Sequence, residues 1–187
     1  MLSREYGNEE TRLRGWNLCI ERFLWSVVPE TTAFMLGLAV FDCGLIRKDR
    51  TLVPKVKDPP SHGVNSAERI EYMTLSILWV FGAYEVVRTL HQRLRKHSDA
   101  AVPRSELCFR IGELKKAFER VRVPLAKFEK PNRSPADTGV AIHGFDFEKG
   151  ATWFVTSTKH VTRRELSDSL LETLQDWKAL IEKEHTP

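Results

Sequence analysis

The sequence has few cysteines, and no two of them are close together. The three cysteines of the 187-residue chain, Cys19, Cys43 and Cys108, are far apart, and none forms the CxxC spacing that is typical of zinc sites. Because all three lie in apolar surroundings, we interpret them as buried, reduced thiols that act as small apolar side chains. Reduced cysteines are typical of a reducing compartment, so the sequence favours the cytoplasm over secretion.

The sequence also lacks the features of an exported or membrane-spanning chain. Its first residues are polar and of mixed charge, without the apolar stretch of a signal peptide. The apolar runs 33–46 and 75–87 are shorter than the roughly 20 residues of a spanning helix, and they contain Asp42 and Glu85. We therefore expect a soluble protein with two buried core helices and no membrane partner.

Common catalytic fingerprints are missing as well. The chain contains no GxGxxG, GxxxxGKS/T, HExxH, GxSxG or EF-hand pattern, which excludes the commonest nucleotide-binding, zinc-protease and α/β-hydrolase families. Enzymes whose sites assemble from scattered residues are not excluded. His143, Asp146 and His160 flank a predicted hairpin, but their spacing fits no standard metal site. We predict no metal ion and no cofactor.

What the chain does contain is an ordinary globular composition with helical periodicity. Hydrophobic residues make up 42% and charged residues 29%, which suits one domain, 1–187. Apolar spacing predicts a helix over 10–28 that stops at Pro29, a second helix over 33–46, and an exposed loop over 47–65 that contains three prolines. A long helix over 66–96 is apolar on all sides and should be central. Another helix, 104–122, has one apolar stripe, and together these elements form a helical core, 10–122.

The C-terminal third differs in character. A proline-rich loop, 123–138, precedes a region, 139–184, in which β-branched and aromatic residues predict a β-hairpin with strands at about 140–147 and 151–157. Thr162 and Glu165 then have the spacing of a capping box at the start of a last helix. The predicted fold is mainly α. It is a compact bundle of about five helices around a central apolar helix, with a C-terminal β-hairpin followed by a capped helix.

The most prominent polar cluster lies on the predicted central helix. Tyr84, Arg88, His91 and Arg95 are spaced by four, three and four residues, so they share one face, and Glu85 is within reach of Arg88. A charged side chain in an apolar segment is costly unless it is paired. The cluster is therefore either an internal ion pair followed by a solvated basic end, or a binding pocket. In the pocket, Arg88 binds an anion, and His91, Arg88 and Glu85 are the candidate catalytic residues.

This arrangement resembles, in general plan, the HEPN family of helical ribonucleases, which carry an arginine followed by a histidine on a helix. In this chain two residues separate Arg88 from His91, and three separate Arg93 from His97, so neither pair has the family's spacing. Between residues 88 and 133 the chain has 13 Lys and Arg residues against 5 Asp and Glu residues. Such a basic region favours contact with phosphate or with an acidic partner.

Three functional hypotheses follow. The first is a non-enzymatic protein-interaction module that self-associates, since catalytic motifs are missing and the hairpin offers a free edge. The second is a nucleic-acid-binding protein or small helical ribonuclease that uses the Arg88 and His91 face. The third is binding of a small anionic ligand between helices, with Arg88 and Tyr84 as the polar groups. Across these hypotheses the candidate binding residues are Tyr84, Arg88, His91 and Arg95.

Overall fold

The computed structural model describes residues 9–21, 31–57, 66–96, 102–129, 137 and 142–184. These residues form the helices α1 (Glu9–Cys19), α2 (Thr32–Lys57), α3 (Ser66–Lys96), α4 (Val102–Lys127) and α5 (Arg163–Glu184). They also form the strands β1 (Ile142–Asp146), β2 (Gly150–Phe154) and β3 (His160–Thr162). The prediction of a mainly helical bundle with minor β content and a C-terminal helix is confirmed.

Helix α3 is the central element, as its apolar periodicity predicts. It packs against α2 on one side and α4 on another, and it also contacts α5 and β2. Gly82 allows α2 to come close, because a Cβ atom there would lie only 2.9 Å from Leu38 Cδ2 and 3.3 Å from Phe34 Cζ. The indole of Trp79 donates a hydrogen bond to the backbone carbonyl of Leu38 at 3.2 Å, which joins the two helices again.

The prediction of a loop over 47–65 is wrong for its first part, which belongs to helix α2. The helix continues through Lys57 with Pro54 inside it, so residues 47–57 are helical, and 58–65 lie outside the described residues. Pro54 lacks the amide that would donate a helical hydrogen bond, so this last turn of α2 depends on contacts made elsewhere in the protein. Asp49 and Leu52 are buried, and their tertiary contacts hold the helix together where its local sequence predicts a loop.

Helix α4 likewise runs past the predicted boundary at residue 122 and through Pro124, so the predicted loop 123–138 begins too early. The helix ends where Phe128 adopts a left-handed conformation, with φ of 56°. The Phe128 amide donates a hydrogen bond to the Pro124 carbonyl at 3.1 Å, an arrangement that commonly terminates helices. The predicted apolar stripe is confirmed, because all of its members are buried: Leu107, Ile111, Leu114, Phe118 and Val121.

The sheet contains the predicted hairpin and a third strand that the sequence did not indicate. Strands β1 and β2 are antiparallel, and β3 pairs antiparallel with the other edge of β2. Gly150 closes the hairpin with φ of 79°, and a Cβ atom there would collide with the Tyr72 hydroxyl oxygen, so only glycine fits. Strand β3 has three residues, which is too short for a periodicity signal.

The two ends of the helical prediction have different outcomes. Helix α1 covers the first part of the predicted helix 10–28, and residues 22–30 lie outside the described residues. At the other end, the capping box is confirmed. The Thr162 amide donates to Glu165 Oε2 at 3.0 Å, and the Glu165 amide donates to Thr162 Oγ1 at 3.1 Å, so α5 begins where its sequence predicts.

Candidate functional site

The structure places the residues of the polar cluster predicted on α3, and two of them, Arg88 and Tyr84, bind different carboxylates. Arg88 Nε donates to Glu85 Oε2 at 2.8 Å, whereas the Tyr84 hydroxyl donates to Glu119 Oε1 on α4 at 3.2 Å. Arg122 of α4 lies over the Tyr84 ring, with Cζ 5.1 Å from the ring centroid, and also approaches Glu85 at 3.8 Å. The arrangement is a polar seam between α3 and α4.

This seam is not the buried ion pair that the apolar segment predicts. The side chains of Arg88 and Glu85 are 42% and 43% exposed, because they lie on the outer side of α3, whereas Val86, Val87 and Leu90 of the same segment are buried. His91 lies against α4, where a Cβ atom on Gly112 would be 3.2 Å from its Nε2 atom. Arg95 instead joins Gln92 and Lys96 around an open depression at the end of α3. Tyr84, Arg88, His91 and Arg95 are therefore not gathered around one cavity.

Several cations in the basic middle of the chain are paired with carboxylates of the same chain. The ion pairs of the described cations in this region include Arg88 with Glu85, Arg110 with Asp176, Lys115 with Glu119, Lys116 with Glu113, Arg120 with Asp137, and Arg122 with Glu85. Each pair reduces the positive potential that an approaching phosphate would meet. The net charge of this region therefore overstates its attraction for nucleic acid.

A second ionic cluster lies inside the core, and sequence reasoning missed it. We call Arg12, Asp42, Asp49 and Arg163 the buried charge cluster, because all four are buried. Asp42 accepts hydrogen bonds from Arg12, from Arg163 Nη1 at 2.7 Å and from the Trp16 indole at 3.0 Å. Arg163 Nη2 also donates to Asp49 Oδ2 at 2.7 Å.

The rim of the buried charge cluster is also hydrogen-bonded. Arg12 donates to Asp168 Oδ1 at 2.6 Å and to the Ser167 hydroxyl. The Tyr72 hydroxyl donates to Asp49 and accepts the Ala151 amide at 2.8 Å. Arg163 Nε has no hydrogen-bond partner in the described part of the chain, but the guanidinium lies 5.9 Å from the Trp79 ring centroid.

Mutual pairing determines the protonation of the buried charge cluster. Burial by itself would raise the pKa of Asp42, but the charges of Arg12 and Arg163 and their hydrogen bonds outweigh it and lower the pKa. Burial would likewise lower the pKa of Arg163, and the carboxylates of Asp49 and Asp42 raise it instead. Burial and the nearby Asp49 charge raise the pKa of Tyr72. All of these groups therefore keep their ordinary charge at neutral pH.

The buried charge cluster has the character of a fold determinant rather than an active site. Its four members are closed off from solvent and paired to one another, so a substrate would have to displace ion pairs to reach them. One sequence signal could have revealed it. Asp42 lies in an apolar run and therefore needs a partner, by the same rule that we applied to Glu85. The rule does not say where the partners are, and Arg163 is far away in sequence.

The hairpin histidines do not form a metal site. In the described residues there is no group of three or more His, Cys, Asp or Glu side chains that could hold a metal ion. The Asp146 carboxylate accepts the Glu148 and Lys149 amides at 2.8 Å and 2.7 Å and so caps the hairpin turn. His160 packs its ring on Phe154 at 6.0 Å between centroids.

An apolar surface on α2 is more prominent. We define the α2 face as Ala33, Phe34, Leu36, Gly37, Val40 and Gly44, which recur at spacings of three and four residues. Phe34, Leu36 and Val40 are exposed, and Val40 reaches 63%. The only charged residue between Ala33 and Ile46 is Asp42, which points into the core. Phe34 continues the α2 face toward α3 through its contact at Gly82.

A groove lies between α3 and the sheet. We define the α3–β1 groove by its lining residues Arg69, Ile70, Met73, Thr74, Ile77 and His143, which enclose about 440 Å³. Five of them belong to the first half of α3, and His143 belongs to β1. Met73 and Ile77 are half-buried against the core, whereas Ile70 is 67% exposed. The groove is therefore mainly apolar, with a cation at one end.

Helix α3 also resembles a membrane-spanning helix in length and composition. Among the described helices, α3 is long and apolar enough to cross a membrane, judged by length and composition alone. Core helices of soluble proteins share this composition, and 44% of its most apolar window is buried inside the protein. Because α3 packs on α2, α4 and α5, we interpret it as the core helix of the bundle.

Comparisons of the chain with protein-family models, with curated proteins and with solved structures found no match. The proposals below are therefore argued from the residues of this chain alone.

Proposed function

We propose that the chain is a non-enzymatic protein-interaction module that self-associates through the α2 face. The observation that carries this proposal is the run of exposed apolar side chains over three turns of α2, with no exposed charge among them. Contiguous apolar surface of this kind marks interaction sites, because its exposure to water is unfavourable. Cys19, Cys43 and Cys108 are free thiols, which suits the reducing cytoplasm that we propose as its location.

The shape of the α2 face favours a second copy of the chain as the partner. Gly37 and Gly44 have open space where a Cβ atom would be, so another helix can approach their backbone closely. Phe34, Leu36 and Val40 stand beside these low points as ridges. Two copies related by a twofold axis can place the ridges of one helix beside the glycines of the other, and this is the commonest symmetry of soluble oligomers.

The alternative is a basic nucleic-acid-binding protein or a small helical ribonuclease that uses Arg88 and His91. One observation favours it: Arg95 and Lys96 lie beside Gln92 at the end of α3, without an ion-pair partner among the described residues. The ion pairs of Arg110, Lys115, Lys116, Arg120 and Arg122 argue against it, as does the engagement of Arg88 by Glu85. Binding of a small anion between helices is weaker still, since Tyr84 and Arg88 bind different carboxylates.

Self-association is tested by light scattering after size exclusion over a range of protein concentrations. We expect a defined oligomer whose mass falls on dilution, and we expect Val40→Glu to weaken association by about tenfold or more, because it buries a charge in the interface. Phe109→Glu on α4 is the matched control. Phe109 is 67% exposed and lies outside the α2 face, so this variant should keep the wild-type mass.

Two results would contradict the proposal. One is a wild-type monomer at every concentration, and the other is equal dissociation by Val40→Glu and Phe109→Glu.

Binding of labelled RNA with a steep salt dependence that Arg95→Ala reduces would support the nucleic-acid alternative instead. Cleavage of that RNA abolished by Arg88→Ala or His91→Ala would establish the ribonuclease. Flotation of the protein with lipid vesicles, lost in Val40→Glu, would identify a membrane as the partner of the α2 face.

A further inference from the structure

The α3–β1 groove lies beside an unpaired strand edge. Strand β1 is at the end of the sheet order β1-β2-β3, so it pairs with β2 on one side only. Within the described residues, its other edge makes no backbone hydrogen bond. Edge strands of this kind present a row of donors and acceptors that another extended chain can pair with.

Helix α3 extends beneath the position that an added strand would occupy. Phe145 of β1 packs on Tyr72, with ring centroids 5.8 Å apart, which places α3 under the His143 and Phe145 face of the sheet. Met73 and Ile77 lie on the adjoining face of the same helix, next to the face that carries Tyr72. A strand paired with β1 would be about 4.8 Å farther along the sheet, over these side chains.

We propose that the α3–β1 groove binds an extended segment of a partner protein, which adds a strand to the edge of β1. The alternate side chains of that segment point toward α3, so they must be apolar to cover Ile70, Met73 and Ile77. Arg69 has no ion-pair partner among the described residues, so the segment carries an Asp or Glu side chain at that end of the groove. Proline is excluded at the positions whose amides face β1, because those residues must donate backbone hydrogen bonds.

This surface is separate from the α2 face, so the inference does not depend on self-association. His143 and the exposed side of Ile70 belong to the sheet side of α3, whereas Phe34 meets α3 at Gly82, three turns away. A variant on one surface should leave the other unchanged. Val40→Glu therefore keeps the affinity for the segment, whatever its effect on mass.

The test begins with selection of a phage-displayed library of random dodecapeptides on the wild-type protein. We expect the selected peptides to carry apolar residues at alternate positions and one acidic residue. Each is then labelled with fluorescein, and its Kd is measured by anisotropy. Ile70→Glu should raise the Kd by about tenfold or more, because it places a carboxylate in the apolar groove. Phe109→Glu, at an equally exposed position outside the groove, should leave it within about twofold.

Backbone methylation of the peptide separates strand pairing from simple apolar contact. N-methylation of a residue whose amide faces β1 should abolish binding, and methylation of its neighbours, whose amides face away, should not. The inference is overturned if no selected peptide distinguishes the wild type from Ile70→Glu, or if methylation at every position has no effect. It is also overturned if Ile70→Glu lowers the oligomer mass, since the occupant of the groove is then a second copy.

Discussion

At the scale of single residues, Asp42 and Glu85 both lie in apolar runs of the sequence, but the structure buries the ion pairs of Asp42 and leaves that of Glu85 partly exposed. Asp42→Asn removes the charge that compensates Arg12 and Arg163 inside the core, and we expect it to destabilise the protein by about 3–5 kcal/mol. Glu85→Gln removes a pair that is nearly half exposed, and we expect a loss below about 1 kcal/mol. Urea unfolding of both variants measures the difference, and similar losses would contradict the assignment of Asp42 as the buried partner.

Only part of the candidate site could be predicted from the sequence, for a physical reason that these residues illustrate. The Glu85 and Arg88 pair is three positions apart, so helical spacing alone predicts it, and the structure confirms the contact. The partners of Asp42 belong to α1 and α5, and no local rule connects them. The β1 edge was predicted as part of a hairpin, but the groove beside it depends on how α3 lies under the sheet.

At the scale of helices and strands, a sequence pattern predicted the structure correctly where the stabilising contacts join residues that are close in the sequence. The capping box fixed the start of α5, whereas Pro54 and Pro124 were predicted to lie in loops but are inside helices. Proline weakens a helix without ending it when buried neighbours continue to pack, as Leu52 and Val121 do here. The rule that proline ends a helix does not take account of tertiary contacts that stabilise the helix. Both loops were therefore predicted to begin before the residues at which the helices end.

The capping box supports a prediction at this scale. Thr162→Ala removes the hydroxyl that accepts the Glu165 amide, and we expect it to lower the free energy of unfolding by about 1 kcal/mol beyond the loss in Thr162→Ser. The serine variant is the matched control, because it keeps the hydroxyl and loses only the methyl group of this buried side chain. Thermal unfolding of both variants gives the comparison. Equal stability of the two would show that the cap contributes nothing.

At the scale of the whole molecule, the buried charge cluster joins elements that are far apart in the chain. Arg12 belongs to α1, Asp42 and Asp49 to α2, and Arg163 to α5, while Tyr72 ties Asp49 to α3 and to the first residues of β2. Helices α1, α2 and α5 therefore cannot separate unless these buried ion pairs break. We therefore expect α1, α2 and α5 to unfold together.

Acid is the condition that tests the contribution of Asp42 to stability. The pKa of Asp42 is lower in the folded protein than in the unfolded chain, where it is about 3.9, so its stabilising effect is complete above that pH and is lost as the pH falls further. Burial would raise the pKa of Glu165, but Lys149 and Thr162 lower it, so Glu165 also loses its stabilising effect as the pH falls.

In Asp42→Asn the titrating group is absent. The stability difference between the wild type and this variant, measured by urea unfolding at several pH values, should therefore be constant near neutral pH and shrink below about pH 4. A difference that stays constant down to about pH 2 would mean that the Asp42 carboxylate is not held by its two arginines.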